Sequence, residues 1–462
     1  MTAVADRYEP FAPRLWRHLG ALAVLAWPVM LSRAGIVTMA LVDVIMLGRY
    51  GTQALGEASV ALALFIPIMV TGVGLQMGLI SLVARRFGAG RVDECVDTWL
   101  RALPWALVVG LIGSVVMAMG EIKLGWIGQS EALVTGGGAF SRAVAPGVLF
   151  QVLYVTCAFY LEGTGRPKPA MVVMVLANLA NAGLNWVLIY GNWGSPELGA
   201  VGSALASSLV RVGLFLALFI YILRLPEVRA VGGFGRFRGL WGPGGWSAGA
   251  EMRRLGYAAG LSVLFETAAL GALIQMAGML GAVDLAAFSI ANNLKTTVFM
   301  VGLGLSVAAG VRVGRAAGAK QADEVRFAGW SGLGAGVGVM ALIGALLVAT
   351  GRWVAMGYTG DEDVIAATVA LFGIVAIVVI PQGGQIVMGQ GNRALGDAYV
   401  ASSLYFVAYW LVMVPAGALF AFQWEMGAAG LLWAIGLGGA VSMVLQGARF
   451  AVLAARVGRN PA

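Results

Sequence analysis

Three carboxylates stand in or beside long apolar runs. Asp43 lies in LVDVIMLG (41–48), Glu266 lies in GLSVLFETAALG (260–271), and Asp397 follows a run ending near residue 390. An unpaired carboxylate in hydrocarbon costs several kcal/mol, so each is either at a helix end in water or retained for function. Asn178, Asn181 and Asn185 are spaced i, i+3, i+7 and share one helical face. Ser207 and Ser208 add hydroxyls in the next apolar run. Taken singly, the amides fit interhelical hydrogen bonding, and Asp43 fits a carboxylate reaching interfacial water. Together, a carboxylate with amide and hydroxyl oxygens can dehydrate and hold Na⁺, can take up and release H⁺, or can attract a cationic substrate. Asp43, Asn181, Asn185, Ser207, Glu266 and Asp397 are therefore the candidate ion-coupling and substrate residues, and Asp43, Glu266 and Asp397 the candidate Na⁺ ligands. Arg33, Arg211 and Lys295 also lie within apolar runs. Arg211 is placed to snorkel toward the cytoplasmic face. Arg33 and Lys295 are deeper, where they would neutralise the acids or meet an anionic group. Arg33, Asn178, Gln275 and Lys295, with Glu57, are the further cavity candidates.

Long apolar elements must carry these groups. The chain has 462 residues, 60% hydrophobic and 11% charged, against about 25% charged in a soluble domain. Runs of spanning length are read at 21–46, 55–82, 98–120, 140–161, 169–190, 199–223, 257–280, 285–311, 328–349, 364–390, 398–422 and 428–453. No signal peptide is expected, because residues 1–18 are polar and the first run reads on as a span. Segment 55–94 aligns without a gap on 285–324 at an offset of 285 − 55 = 230, matching Ser59/Ser289, Gly72/Gly302, Gly74/Gly304, Arg85/Arg315 and Gly88/Gly318. GAVGSALA (199–206) and GAAGLLWA (427–434) echo one another more weakly. The expected fold is an all-α integral membrane protein with twelve transmembrane helices in two pseudo-symmetric six-helix lobes around a central cavity. Parallel repeats of this kind suit alternating access. The division expected is a segment 1–20, an N-lobe 21–223, a connector 224–256, a C-lobe 257–453 and a tail 454–462. At the repeat offset Asp43 corresponds to Leu273 and Glu266 to Ile36, so the acids do not follow the duplication. Inherited packing does not explain them.

Charge sets the direction. Even-numbered connectors carry RRFGAGR (85–91), GRPK (165–168), Arg224 through Arg254, RVGRAAGAK (312–320) and Arg393, while odd-numbered connectors collect acids such as Asp361, Glu362 and Asp363. The positive-inside rule places both termini in the cytoplasm, in an inner membrane. The net charge of +8 is thus topology, and dispersed basic residues argue against nucleic acid. The expected partners are the lipid bilayer and small organic molecules, with the chain a monomer. There is no GxxxxGK[ST], HExxH or CxxC. Cys95 and Cys157 do not suggest a disulfide or a thiolate site. The single histidine, His18, precedes the first span, which leaves no histidine relay. The reading is a carrier rather than an enzyme, with no cofactor, driven by an ion gradient, a partner or the substrate's own gradient.

LVDVIMLGRYG (41–51), VARRFGAGR (83–91), LEGTGRPKPAM (161–171), NAGLNWVLIYG (181–191), LGAVGSALA (198–206), LAAFSIA (285–291) and VRVG (311–314) resemble, in order and spacing, multidrug and toxic compound extrusion (MATE) transporters. The resemblance covers nearly the whole chain. It implies twelve helices in two lobes with a V-shaped central cavity, and export of organic, cationic drugs and toxic compounds by antiport against H⁺ or Na⁺. Glu266 matches the acid of the NorM-type branch, Asp397 fits that branch's late acid, and Asp43 matches the span-1 aspartate of the bacterial branches. Asn181 and Asn185 match paired polar positions, and Ser207 falls where threonine is usual. Lys295 and Arg33 depart from the pattern and bear on substrate charge. The alternatives are a lipid-linked sugar flippase of the same superfamily, which a basic cavity would favour, and a channel or scaffold, which single-channel currents would separate from a carrier.

Overall fold

The computed structural model describes residues 10–236, 245–356 and 362–457. The outer parts of the expected segments 1–20 and 454–462, the middle of the 224–256 connector, and Asp361 lie outside the described residues. Among the described residues twelve helices are long and apolar enough to cross a membrane. They are α1 (Phe11–Tyr50), α2 (Thr52–Gly88), α3 (Val92–Ala118), α4 (Glu131–Gly163), α5 (Lys168–Tyr190), α6 (Gly199–Leu223), α7 (Ala250–Leu280), α8 (Ala282–Gly318), α9 (Ala322–Met356), α10 (Glu362–Ala394), α11 (Tyr399–Gln423) and α12 (Gly427–Arg456). Helices satisfy every backbone group internally, which is what an apolar solvent demands. Prolines inside α1, α2, α3, α4 and α10 (Pro28, Pro67, Pro104, Pro146, Pro381) are tolerated on the same terms. Helix α11 alternates α turns with π turns at Val407–Met413 and Leu419–Gln423.

The chain forms two compact units. The N-unit is Leu31–Val263; the C-unit combines the described residues up to Met30 with those from Leu264 onward. Packing therefore divides inside α1 and α7, and not at the 224–256 connector. Length is the reason. Helix α1 has 40 residues, which is about 60 Å at roughly 1.5 Å per residue, twice the hydrocarbon thickness of about 30 Å. Its two ends have room to pack in different units. Pro28, two residues before the division, removes a backbone donor at that level.

Each unit repeats one packing scheme. In the N-unit α4 is central, touching α2, α3 and α6, with α5 against α6; in the C-unit α10 touches α8, α9 and α12, with α11 against α12. Small residues permit the closest approaches. On α2, a methyl added at Gly74 would stand 3.0 Å from the Gly260 Cα of α7, and one at Gly78 would collide with the Met252 carbonyl. In the C-unit, a methyl at Gly304 of α8 would meet the Met30 backbone nitrogen of α1 at 2.9 Å. Gly74/Gly304 and Met30/Gly260 are both pairs at offset 230, so the two contacts are equivalent members of the duplication.

Candidate functional site

In the N-unit the Asp43 carboxylate is held by neutral donors from two other helices. Asn185 Nδ2 of α5 donates to Oδ1 at 2.6 Å, and Ser207 Oγ of α6 donates to Oδ2 at 2.8 Å. Asn181 extends the set: its Oδ1 accepts from Asn185 Nδ2 at 3.3 Å, and its Nδ2 reaches Ser207 Oγ at 3.5 Å. Asn181 and Asn185 are fully buried because the i, i+4 face of α5 is pressed on α6. Each bond to an ionised carboxylate contributes about 1.5–3 kcal/mol, which offsets part of the cost of keeping a charge away from water. The Asn185 Oδ1 atom is buried with no hydrogen-bond partner. The structure brings Asp43, Asn181, Asn185 and Ser207 into one cluster.

Other expectations fall elsewhere. Arg211 does not reach for a helix end. Its guanidinium lies 4.7 Å from the Phe65 ring centre, one turn beyond Ser207, and acts electrostatically on Asp43. Arg33 does not join Asp43, from which it is ten residues, or about 15 Å, along α1. It pairs with Glu162 of α4, at 3.1 Å and 3.2 Å to the two carboxylate oxygens. Asn178 donates back to the Met174 carbonyl at 2.9 Å, and its Oδ1 is buried without a partner. Glu57 accepts from Gln53 of its own helix at 3.1 Å.

In the C-unit the site grows from Glu266 of α7. Tyr409 Oη donates to its Oε1 at 3.0 Å, Gln385 Nε2 donates to Tyr409 Oη at 2.8 Å and to Gln382 Oε1 at 2.9 Å, and Ser442 Oγ donates to Gln385 Oε1 at 2.8 Å. This chain of bonds runs through α10, α11 and α12. Tyr405 stacks on Tyr409 with ring centres 6.1 Å apart, and Arg393 lies over Tyr405 at 5.6 Å. Lys295 of α8 is buried and acts electrostatically on Glu266. Gln275 is exposed and outside this network.

Asp397 stands outside the Glu266 network. It forms an ion pair with Arg449 at 2.8 Å. From α10 it is Gln385 and Gln382 that join the Tyr409–Glu266 network. Among the described residues no group of three or more His, Cys, Asp or Glu side chains could hold a metal ion. A separate apolar pocket of about 510 Å³, lined by Pro381, Phe420, Trp424, Met426 and Trp433 among others, contains no charged side chain.

Tyr409, Gln382, Gln385 and Glu162 were not singled out from sequence. The signals were present: a tyrosine inside LYFVAYWLVMV (404–414), two glutamines in PQGGQ (381–385), and a glutamate just before GTGRPK (163–168). Tyr409 also lies in a π turn, a distortion common at functional sites.

This architecture and these two polar clusters are those of a membrane transporter. The MatE family model matches residues 28–187 and 258–419, and the chain belongs to that family. It is 35% identical over 439 residues to the probable multidrug resistance protein NorM of Caulobacter vibrioides, covering 92% of this chain and 90% of that protein. It is 31% identical over 438 residues to the probable NorM of Mesorhizobium japonicum, covering 93% and 92%. The crystal structure of the eukaryotic MATE transporter AtDTX14 superposes with a TM-score of 0.86 at 18% identity, covering 96% of this chain and 99% of that one. The protein is accordingly a multi-pass membrane transporter and not an enzyme.

Proposed function

We propose that this protein exports organic, cationic drugs and toxic compounds from the cytoplasm by alternating access, in antiport against H⁺ bound at Asp43. The NorM relatives support multidrug export. The observation that carries the coupling is the Asp43 carboxylate itself, held at 2.6 Å and 2.8 Å by an amide and a hydroxyl deep in the N-unit. Both carboxylate oxygens meet donors. That favours a carboxyl that gains and loses a proton over an oxygen cage for Na⁺, which would have to turn those donors away. Among the described residues no second carboxylate joins the Asp43 or Glu266 cluster, which weighs against Na⁺ at Glu266 too, while Glu266 with Tyr409 is suited to an organic cation. Lys295 beside Glu266 tempers the charge of that site and selects among cations.

On this reading the termini are cytoplasmic, the membrane is the bacterial inner membrane, the working unit is a monomer, and no cofactor is required. The purified protein in proteoliposomes, given a pH gradient and a Na⁺ gradient separately, tests it. Dye movement driven by the pH gradient alone is expected. Dye movement that needs Na⁺ and ignores pH would reassign the ion, and single-channel currents would reassign the class.

A further inference from the structure

Each unit sets a cation beside its membrane acid, and the duplication shows the two cations converging on one position of the repeat. In the C-unit Lys295 of α8 acts electrostatically on Glu266. At offset 230 Lys295 corresponds to Phe65 of α2, so the N-unit has an aromatic ring where its twin has an ammonium group. Arg211 of α6 makes up the difference: its guanidinium lies over that same Phe65 ring, 4.7 Å from the centre. At offset 228, that of the 199–206 and 427–434 echo, Arg211 itself corresponds to Gly439. Inherited packing therefore explains neither cation, and each stands beside an acid that does not follow the duplication either.

The geometry aims Arg211 at Asp43. A methyl added at Gly199, the first residue of α6, would meet the Tyr50 ring at the end of α1 at 2.8 Å, and Ser207 Oγ bonds Asp43 at 2.8 Å. Helix α6 thus starts where α1 stops, and the two run antiparallel. Arg211 is one turn beyond Ser207, about 6 Å along α6. Helical side chains lean toward the N-terminus of their own helix, so Arg211 leans back to the Ser207 level while Asp43 leans toward Arg211. Gly147 of α4 makes room for the guanidinium: a methyl there would stand 2.9 Å from Arg211 Nη1, an atom buried without a hydrogen-bond partner. The other groups on these helices are neutral or engaged elsewhere. Helices α5 and α6 offer Asp43 the neutral Asn181, Asn185 and Ser207. On α1, Arg49 is exposed and Arg33 pairs with Glu162; on α2, Glu57 accepts from Gln53; on α4, Arg142 pairs with Glu121.

We propose that Arg211 is the counter-charge of the N-unit ion site, a positioning residue that holds the Asp43 carboxylate ionised and bonded to Asn185 and Ser207 until a proton arrives. Before loading, the pair is neutral. A proton from water then forms an O–H bond at one Asp43 oxygen, and the net charge of the pair becomes +1. Arg211 is left inside the bundle as a cation without its partner, which is costly, so the loaded site favours a different arrangement of the N-unit. Such a bias is what an antiporter requires of its ion. The inference rests on H⁺ binding at Asp43. The test follows ethidium export by the full chain in proteoliposomes as a function of pH. Arg211→Met is expected to move the pH midpoint of export about one to three units toward alkaline pH, the range usual for a carboxylate that loses an adjacent arginine. Arg211→Lys should keep the parent midpoint. Phe65→Lys added to Arg211→Met should restore it, because the cation then stands where the C-unit carries Lys295; a structural brace would not be rescued by a charge on another helix. An Arg211→Met protein with the parent midpoint, or a displaced midpoint that neither lysine restores, overturns the proposal. Should Arg211→Met not fold, Asp43→Asn made together with it decides. Folding of that double variant ties Arg211 to the Asp43 charge, whereas failure there too makes Arg211 a brace and overturns the proposal. Asp43→Asn alone separates the two readings, since full H⁺-driven export there removes the coupling site itself, whereas loss there beside an Arg211→Met protein at the parent midpoint removes only the counter-charge.

Discussion

Removing one oxygen from Tyr409 should cost this transporter most of its affinity for cationic dyes. Tyr409 Oη gives its hydrogen to Glu266 at 3.0 Å and takes one from Gln385 at 2.8 Å, and both Tyr409 and Gln385 are fully buried. Tyr409→Phe leaves the ring and its stacking on Tyr405 in place. It removes a bond to a carboxylate, about 1.5–3 kcal/mol, and deprives the Gln385 amide of one acceptor. Gln385 keeps Gln382 Oε1 at 2.9 Å, so the second loss is the smaller. At about 1.4 kcal/mol per tenfold, the first loss alone corresponds to roughly a 10- to 150-fold weaker hold on a cation that needs Glu266 in this position. Equilibrium dye binding to detergent-purified protein measures it, with Glu266→Gln as the reference for complete loss. A Tyr409→Phe protein that binds dye as tightly as the parent, while Glu266→Gln does not bind, would refute the claim that the tyrosine positions the carboxylate.

On the proposed H⁺ coupling at Asp43, Asn185→Ala should alter the pH dependence of export and leave residual H⁺-driven transport; loss of Na⁺-driven export with unchanged pH dependence would instead mark the amide as a Na⁺ ligand. Gly78→Ala places a methyl on the Met252 carbonyl and should destabilise the protein by roughly 1–3 kcal/mol, read as a lower melting temperature; an unchanged melting temperature would contradict the close α2–α7 approach. In a background without the two buried cysteines Cys95 and Cys157, a cysteine at Gly235 should react with an impermeant reagent only from the cytoplasm. One at Gly360, outside the described residues, should react only from the opposite side, and the reverse pattern would overturn the orientation.

Much of this was legible in the sequence, for physical reasons particular to membranes. Apolar runs of spanning length have little to compete with, so the helices emerged with the duplication at offset 230. Asp43, Asn181, Asn185 and Ser207 were found because an isolated acid and a one-faced row of amides are conspicuous against hydrocarbon. The partner of Asp397 was not legible, because a charge near a span says nothing of what it meets; it is Arg449, fifty-two residues on. Arg33 was visible but its partner Glu162 was not, since a glutamate beside a basic connector reads as loop charge until burial is known. Tyr409, Gln382 and Gln385 are neutral and blend with interfacial aromatics and bundle amides. The exchange of α1 and α7 ends between units was hidden as well, because periodicity describes a helix face and not which neighbour it meets.

Asp43→Asn reconstituted in proteoliposomes, with the pH gradient and the Na⁺ gradient imposed one at a time, bears most directly on the coupling claim. The asparagine retains the size of the side chain and can still bond Asn185 and Ser207, but it cannot gain or lose a proton. The account predicts a folded protein that binds dye and no longer moves it in response to the pH gradient. Full pH-driven dye export by Asp43→Asn would contradict it and leave Asp43 as an ordinary half-buried carboxylate of the N-unit.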